Sequence, residues 1–266
     1  LVKELKNANR NLAIDVMTTF PNRYSSFKRK VKKIEKKDGV TITRISIPSH
    51  KSGMLDQSVT FGIYAFKVIN LTKGKNYDLV FATSSRLMTA VLGAWIAKMQ
   101  KDCLLYLDIR DIFVDTVRDI LPKVISKPIT TIFDFAEKWT FKKADKINLV
   151  SAGFKEYFNS RYPKKPMSFF TNGIDDEFLR RSASRITNNT EDNTLQVIYA
   201  GNIGEGQGLH NIIDRIALKT EKTIKFRIFG DGGKKNALIS RLIASKVSNV
   251  DIFPPISRAQ LIVEYQ

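Results

Sequence analysis

The chain has 266 residues, with 44 Lys plus Arg against 26 Asp plus Glu, which gives a formal charge of +18. Its 43% apolar and 26% charged residues exclude a disordered chain, a collagen-like repeat and a disulfide scaffold. The single cysteine, Cys103, has no partner for an internal disulfide and is expected in a buried strand. The longest apolar run, residues 87–97, has 11 residues, fewer than the ~20 that span a bilayer, and the charged start predicts no signal peptide.

The positive charge is concentrated in the first part of the chain. Residues 1–186 hold 34 basic and 18 acidic residues, a net charge of +16, whereas residues 187–266 have a net charge of +2. The densest basic segment is Lys28–Lys37, in which Glu35 is the only acid. Such a segment attracts anionic lipid, nucleic acid or phosphorylated substrates, or it is a solvated basic loop. Because Phe27 is the only aromatic residue nearby, nucleic acid is not expected as a partner.

Strands and helices alternate along the first two thirds of the chain. The pattern predicts helices at residues 1–11, 59–71, 85–99, 129–139 and 153–161, and strands at 12–19, 41–47, 78–82, 103–107, 146–150 and 168–171. We expect Thr83, Ser84 or Ser85 to cap the helix at 85–99. The wholly apolar strand at 103–107 is typical of the middle of a parallel sheet.

A polar stretch at residues 185–193 is the clearest linker, and the alternation restarts after it. Strands are predicted at 195–199, 224–229 and 250–253, and helices at 209–218, 234–246 and 258–266. Repeated strand–helix units predict an α/β protein with two Rossmann-like parallel-sheet domains, residues 1–186 and 187–266. The chain begins at Leu1 and ends inside a predicted helix at Gln266, so we expect a fragment whose second domain is incomplete.

Two glycine-rich turns in the second domain predict an anion site. Residues 199–209 (YAGNIGEGQGL) and 229–233 (FGDGG) each follow an apolar strand and precede a helix. Glycines let a ligand approach the backbone, and the free N–H groups at a helix start favour an anion. Either turn alone could be structural, but together they indicate a nucleotide-diphosphate site at the carboxyl ends of two strands. The candidate binding residues are Gly201, Asn202, Gly204, Gly206, Gln207, Gly208, Gly230, Asp231 and Gly232.

A cluster of charged residues follows the apolar strand in the first domain. Asp108, Arg110 and Asp111 lie where substrates enter a parallel sheet, and two further acids follow at Asp115 and Asp119. An aspartate here could accept a proton from an attacking hydroxyl or orient a sugar, and Arg110 could restrain it or grip a phosphate. The alternative is an ion pair that caps the next helix.

The histidine and cysteine content predicts no metal site. The chain has two histidines and one cysteine, and no cluster of them has the spacing of metal ligands. His210 follows the first glycine-rich turn and could contact a phosphate or lie on a helix surface. His50 lies in a polar loop at residues 49–58 that could border an acceptor.

The order of these motifs resembles a known enzyme family. The segments DIRD (108–111), FTNGID (170–175), the two glycine-rich turns and VDIFPPISRAQL (250–261) are together similar to the retaining family 4 glycosyltransferases of the GT-B fold. The resemblance covers almost the whole chain. The segments TTFPNRY (18–24), ATSSRLMTA (82–90) and YLDIRDIFVDT (106–116) are closest to bacterial O-antigen and capsule enzymes.

The resemblance implies a transferase of lipopolysaccharide O-antigen synthesis. It would move N-acetyl-L-fucosamine or a related amino-deoxy sugar from a UDP-sugar to an undecaprenyl-diphosphate-linked saccharide. It implies no metal and no cofactor besides the UDP-sugar co-substrate. It further implies a cytoplasmic protein, peripheral at the bacterial inner membrane, with Lys28–Lys37 on anionic lipid.

Carried over residue by residue, the resemblance is uneven. Asp108 stands where the family often has a catalytic-loop histidine, and Asn202 and Gln207 stand where many members have arginine and lysine. Backbone amides of residues 204–208 and basic residues from elsewhere would then hold the diphosphate. The family's glycine-rich first loop would precede Leu1 and its glutamate pair would follow Gln266. The alternative is therefore an inactive truncated fragment, or a non-catalytic protein that binds nucleotide sugars or lipid phosphate.

Overall fold

The computed structural model describes residues 1–21, 31–48, 54–84, 86–113, 123–181, 194–220 and 223–265. The helices in these ranges are α1 (Val2–Ala8), α2 (Met54–Thr72), α3 (Leu87–Met99), α4 (Lys123–Lys143), α5 (Lys155–Arg161), α6 (Asp176–Arg181), α7 (Leu209–Lys219), α8 (Lys235–Ala244) and α9 (Arg258–Glu264). The strands are β1 (Ile14–Thr19), β2 (Ile34–Lys37), β3 (Val40–Ile45), β4 (Leu79–Ser84), β5 (Leu104–Ile109), β6 (Lys146–Leu149), β7 (Met167–Ser168), β8 (Leu195–Asn202), β9 (Ile224–Asp231) and β10 (Val250–Phe253). The predicted linker at 185–193 and the predicted domain boundary at 186/187 lie outside the described residues.

Residues Ser58–Gly173 form one compact unit around a parallel sheet with the strand order β4-β5-β6-β7. β5 is an interior strand, as its apolar sequence predicts, with Leu105 and Leu107 fully buried. The helices α3 and α4 connect consecutive strands of this sheet. Since such crossovers are right-handed, both helices cover the same face. The small residues Ala90 and Ala94 of α3 and the large Phe141 of α4 are buried in the same core cluster as the sheet.

The other compact unit combines Leu1–Gln57 with Ile174–Gln266 and contains two sheets. One has the order β10-β9-β8 with all strands parallel, and its core contains Ile203, Ile228 and Leu238. In the other sheet, β3 lies between β1, which is parallel to it, and β2, which is antiparallel. Parallel sheets therefore dominate both units, as the alternating pattern predicts.

Part of the basic segment Lys28–Lys37, for which a solvated loop was one expectation, belongs to a β-hairpin. Residues Ile34–Lys37 form β2, which pairs with β3 through a turn at Asp38 and Gly39. Both turn residues have positive φ, 51° and 74°, as two-residue hairpin turns of the Asp-Gly type require. The Asp-Gly signal was present in the sequence. Residues 28–30 of the basic segment lie outside the described residues.

Two helix starts differ from the predictions. α2 begins at Met54, so the second half of the polar loop predicted at 49–58 is helical, and Asp56 lies in its first turn, where a carboxylate favours the helix dipole. Of the three predicted caps of α3, Thr83 and Ser84 belong to β4 instead, and Ser85 lies outside the described residues. The N-cap of α3 is Arg86, which makes no side-chain cap hydrogen bond.

Further differences concern the ends of strands. β8 and β9 continue to Asn202 and Asp231, beyond the predicted ends, because they stay paired through Gly201 and Gly230. β7 is only Met167–Ser168, shorter than the predicted strand at 168–171. The short helix α6, which follows the segment FTNGID, was not predicted.

The packing of α3 on the sheet generates a stability prediction with a matched control. A Cβ at Gly93 in α3 would lie 2.7 Å from the Cβ of Ala82 in β4, so Gly93→Ala should lower the free energy of unfolding by about 1–3 kcal/mol. Gly62 in α2 has no described atom within 4 Å of its Cβ position, so Gly62→Ala should raise the free energy of unfolding by about 0.5–1 kcal/mol. Urea denaturation of both variants measures the two effects, and equal stabilities would contradict the close packing of α3.

Candidate functional site

A row of polar side chains crosses the sheet of the Ser58–Gly173 unit near the carboxyl ends of its strands. The register pairs Thr83 of β4 with Asp108 of β5, Asp108 with Asn148 of β6, and Asn148 with Ser168 of β7. Asp108 is 7% exposed, and its Oδ2 accepts a hydrogen bond from Thr83 Oγ1 at 2.8 Å. Its Oδ1 accepts one from Asn148 Nδ2 at 2.8 Å. The row is therefore organised around one buried carboxylate.

Arg110 joins this row to the segment that follows β7. Its Nε donates to Thr83 Oγ1 at 3.0 Å and lies 3.2 Å from Asp108 Oδ2. Its outer nitrogen donates to Asn172 Oδ1 at 2.9 Å. The charged side chain of Arg110 thus holds the segment FTNGID against the end of β5.

The predicted cluster of charged residues divides between two environments. Asp108 was predicted just after the strand, but it lies inside β5, since the strand continues to Ile109. Both of its carboxylate oxygens already accept hydrogen bonds, which suits a positioning role. Asp111 lies beyond the strand end and is exposed. Asp115, Asp119 and His50 lie outside the described residues.

A buried acid next to this cluster was missed from the sequence. Glu137 of α4 is 2% exposed, and its carboxylate accepts hydrogen bonds from Tyr157 at 3.0 Å and Tyr162 at 2.9 Å. Burial raises its pKa, although the two tyrosine hydroxyls and Arg161 oppose the shift. Glu137 and Asp111 line the same narrow cavity. An acid among the apolar residues of a predicted helical stripe was the signal that could have revealed it.

The two glycine-rich turns lie side by side at the carboxyl ends of β8 and β9. Gly201 pairs with Gly230, and a Cβ at Gly230 would lie 2.0 Å from the carbonyl oxygen of Gly201. This glycine is therefore required by the packing of the strands themselves. Gly206 and Gly208 differ, because no described atom lies within 4 Å of their Cβ positions. The open backbone that a ligand could approach is at these two residues.

The uncharged residues in the first turn bond to each other. Asn202 Nδ2 donates to Gln207 Oε1 at 2.8 Å, and the Tyr199 hydroxyl donates to the Asn202 carbonyl at 2.7 Å. In the second turn, Asp231 Oδ1 accepts a hydrogen bond from the N–H of Gly232 at 2.9 Å. These side chains hold the turns in shape.

Two lysines that follow the second glycine-rich turn contact residues of the two turns. Lys234 Nζ lies 2.6 Å from Glu205 Oε2, and this hydrogen bond lowers the pKa of Glu205. Lys235 Nζ donates to the Gly230 carbonyl at 3.3 Å. The two lysines directly follow the FGDGG segment in the sequence, and this position is the signal that could have revealed them.

His210 lies in α7 and is buried, which corrects its placement on a helix surface. Its Nε2 is 3.7 Å from Glu205 Oε1, and its Nδ1 has no hydrogen-bond partner among the described residues. Within the described ranges, no three His, Cys, Asp or Glu side chains group as metal ligands. No helix in the described part of the chain is long and apolar enough to cross a bilayer.

Comparison with known proteins supports one fold. No family model matches the chain. A segment of 63 residues, 24% of this chain and 16% of the relative, is 36% identical to WcaI of Escherichia coli (strain K12), a protein named for glycosyl transfer in colanic acid biosynthesis. The sucrose-phosphate synthase of Thermosynechococcus elongatus superposes with a TM-score of 0.68 at 13% identity, over 99% of this chain and 66% of that one.

A third similar protein was solved with a nucleotide sugar bound. It is an E. coli structure described as trehalose-6-phosphate bound with UDP-2-fluoro glucose, with a TM-score of 0.58 at 8% identity over 95% of this chain and 76% of that one. Structural similarity at such low identity establishes the fold. The chain therefore has the α/β fold of the GT-B glycosyltransferases, as the sequence resemblance predicts.

The environment of Glu137 predicts a dependence of stability on pH. Because burial raises its pKa in the folded state, the folded chain holds a proton that the unfolded chain releases, and stability falls as the pH rises through that interval. The variant Glu137→Gln keeps the shape of the side chain but has no carboxyl group that titrates. Urea denaturation at pH 4 and pH 7 should show the variant gaining stability relative to the wild type at the higher pH. Parallel pH profiles would contradict a raised pKa.

Proposed function

We propose that the chain is part of a glycosyltransferase that moves a sugar from a UDP-sugar to a lipid-diphosphate-linked saccharide. The observation that carries the proposal is the pair of glycine-rich turns side by side at the ends of β8 and β9, with open backbone at Gly206 and Gly208. The fold and the partial similarity to WcaI support sugar transfer as the reaction.

The donor diphosphate would lie against the amides of residues 204–208 at the start of α7. The positive end of the helix dipole and free N–H groups stabilise an anion there. Lys234, which pairs with Glu205 in the free chain, would exchange that carboxylate for a phosphate oxygen. Lys234 thereby supplies the charge that Asn202 and Gln207 lack. The same groups would stabilise the diphosphate as it leaves.

The acceptor would bind at the end of β5. Asp111 is exposed and would orient the acceptor hydroxyl, which attacks from the face that the leaving diphosphate occupies, with retention of configuration. Asp108 acts through Arg110 and is a positioning residue, because its own oxygens are held by Thr83 and Asn148.

The finer identity of the substrates follows the sequence resemblance. The N-acetyl-L-fucosamine transferase WbuB, to which several segments are similar, suggests an amino-deoxy sugar donor and an undecaprenyl-diphosphate acceptor for O-antigen synthesis. The described lysines of the basic segment, Lys32, Lys33, Lys36 and Lys37, are exposed and available to anionic lipid at the inner membrane.

Binding of a nucleotide sugar without transfer is the second candidate. The bond between Asn202 and Gln207 favours it, since it uses the two positions where the family often carries charge. Donor binding with no release of UDP in the complete protein would support this candidate over transfer.

The donor site predicts an effect on UDP affinity. Lys234→Met should weaken UDP binding about tenfold, because one charge-assisted hydrogen bond to phosphate is lost. The control is Lys225→Met, since Lys225 also pairs with an acid, Asp251 at 3.2 Å, but lies at the opposite end of β9. Isothermal titration calorimetry with UDP measures both, and equal affinities would remove Lys234 from the site.

The acceptor site predicts an effect on turnover. Asp111→Asn in the complete enzyme should lower kcat about 10²–10⁴-fold with little change in KM for the UDP-sugar, because Asp111 contacts the acceptor. Asp102→Asn is the control, because Asp102 is exposed just before β5, at the amino end of the same strand. UDP release with a polyprenyl-diphosphate sugar acceptor is the measurement. Near-normal turnover of Asp111→Asn would exclude Asp111 from the reaction.

A further inference from the structure

The outer surfaces of α3 and α4 carry exposed apolar side chains at helical spacing. On α3 these are Met88, Trp95 and Met99, and Trp95 is 49% exposed. On α4 they include Ile132 and Phe135, which are 67% and 73% exposed. Large apolar side chains so exposed on two neighbouring helices mark a surface that contacts something else.

The two sets of side chains form one continuous surface. The rings of Trp95 and Trp139 lie 6.5 Å apart, centre to centre, and join the two helices. We call Met88, Trp95, Met99, Ile132, Phe135 and Trp139 the aromatic surface. The inner faces of the same helices are already used, because Ala90, Ala94 and Phe141 pack in the core. Apart from Trp139, which is partly buried and packs against that core, the aromatic surface is therefore additional to the fold.

The charges around the aromatic surface are almost all positive. The sequence of α3 has no acid, and Lys98 lies one turn after Trp95. In α4, Lys142 lies one turn after Trp139 and is exposed. The two acids of α4 are neutralised or buried: Asp134 pairs with Lys138 at 2.6 Å, and Glu137 is buried.

We infer that the aromatic surface docks on anionic lipid headgroups, with its Trp, Phe and Ile side chains at the acyl boundary. Tryptophan prefers this interface, and lysines at its edge extend to phosphate groups. A second copy of the chain is disfavoured as the occupant, since it would bring two rims of lysines together. This surface rests on the proposed membrane attachment, from which the class of its partner is taken. It places the membrane contact on the Ser58–Gly173 unit.

The intrinsic tryptophan fluorescence of the chain can detect this contact. Trp95 and Trp139 are the only two tryptophans, and both belong to the aromatic surface. With vesicles of phosphatidylglycerol and phosphatidylcholine that carry brominated acyl chains, tryptophan emission should shift to the blue and be quenched. Vesicles of phosphatidylcholine alone should give weaker binding, because the lysines lose their anionic partners.

A matched pair of variants assigns the contact to the surface. Ile132→Ser should reduce vesicle binding about fivefold through loss of buried apolar area. Ile243→Ser should leave it unchanged, because Ile243 is equally exposed, at 72%, but lies on α8 in the other unit. Co-sedimentation with the vesicles measures both, and far-ultraviolet circular dichroism checks that both fold.

Three outcomes would overturn the inference. Vesicle binding without tryptophan quenching would place the contact elsewhere, for example at Lys28–Lys37. Dimerisation that shifts the tryptophan emission without lipid would identify a second copy as the occupant. Equal binding by the two serine variants would exclude the aromatic surface. Sugar transfer is tested separately, by titration with UDP and by an assay with a detergent-dispersed acceptor. Neither experiment uses vesicles, so failure of the proposed function is distinguishable from failure of lipid binding.

Discussion

The buried carboxylate of Asp108 is the constraint on which the carboxyl edge of the β4–β7 sheet depends. A charge removed from water must be hydrogen-bonded, and here the partners come from the neighbouring strands, Thr83 on one side and Asn148 on the other. Asn148 in turn bonds both the N–H and the carbonyl of Phe170, so the segment after β7 is fixed by the same network. The exposed Asp111, three residues later, therefore projects from a rigid frame.

In the other compact unit, backbone packing and a side-chain hydrogen bond shape the two glycine-rich turns. Its two turns are shaped by close backbone packing at Gly230 and by a side-chain bond between Asn202 and Gln207. The space at the Cβ positions of Gly206 and Gly208 stays open, and Lys234 lies alongside, paired with Glu205. A motif of this kind thus combines residues that build the turn with residues that a ligand could contact, and only some glycines belong to the second group.

The helices α3 and α4 serve two surfaces at once. In α3, the small inner residues Gly93 and Ala94 allow close approach to the strands, while the large Trp95 lies on the outside. An acceptor carried on a membrane lipid would have to meet the sheet edge where Asp111 lies. An aromatic outer surface in the same compact unit gives that unit its own means of holding a lipid surface.

The sequence by itself determined the alternation of strands and helices, the interior position of β5, the GT-B fold through its motifs and the two glycine-rich turns. The fold assignment rests on the resemblance of the motifs to a known family, whereas the other features follow from local periodicity and from residue types with strong backbone preferences. It did not reveal that Asp108 lies within the strand, that Glu137 is buried beside the cavity, or that Asn202 bonds to Gln207. Those facts depend on which side chains distant parts of the chain bring together. Only the tertiary structure decides whether a charged or aromatic residue on a helix faces the core or the solvent, because both faces of α4 carry apolar residues.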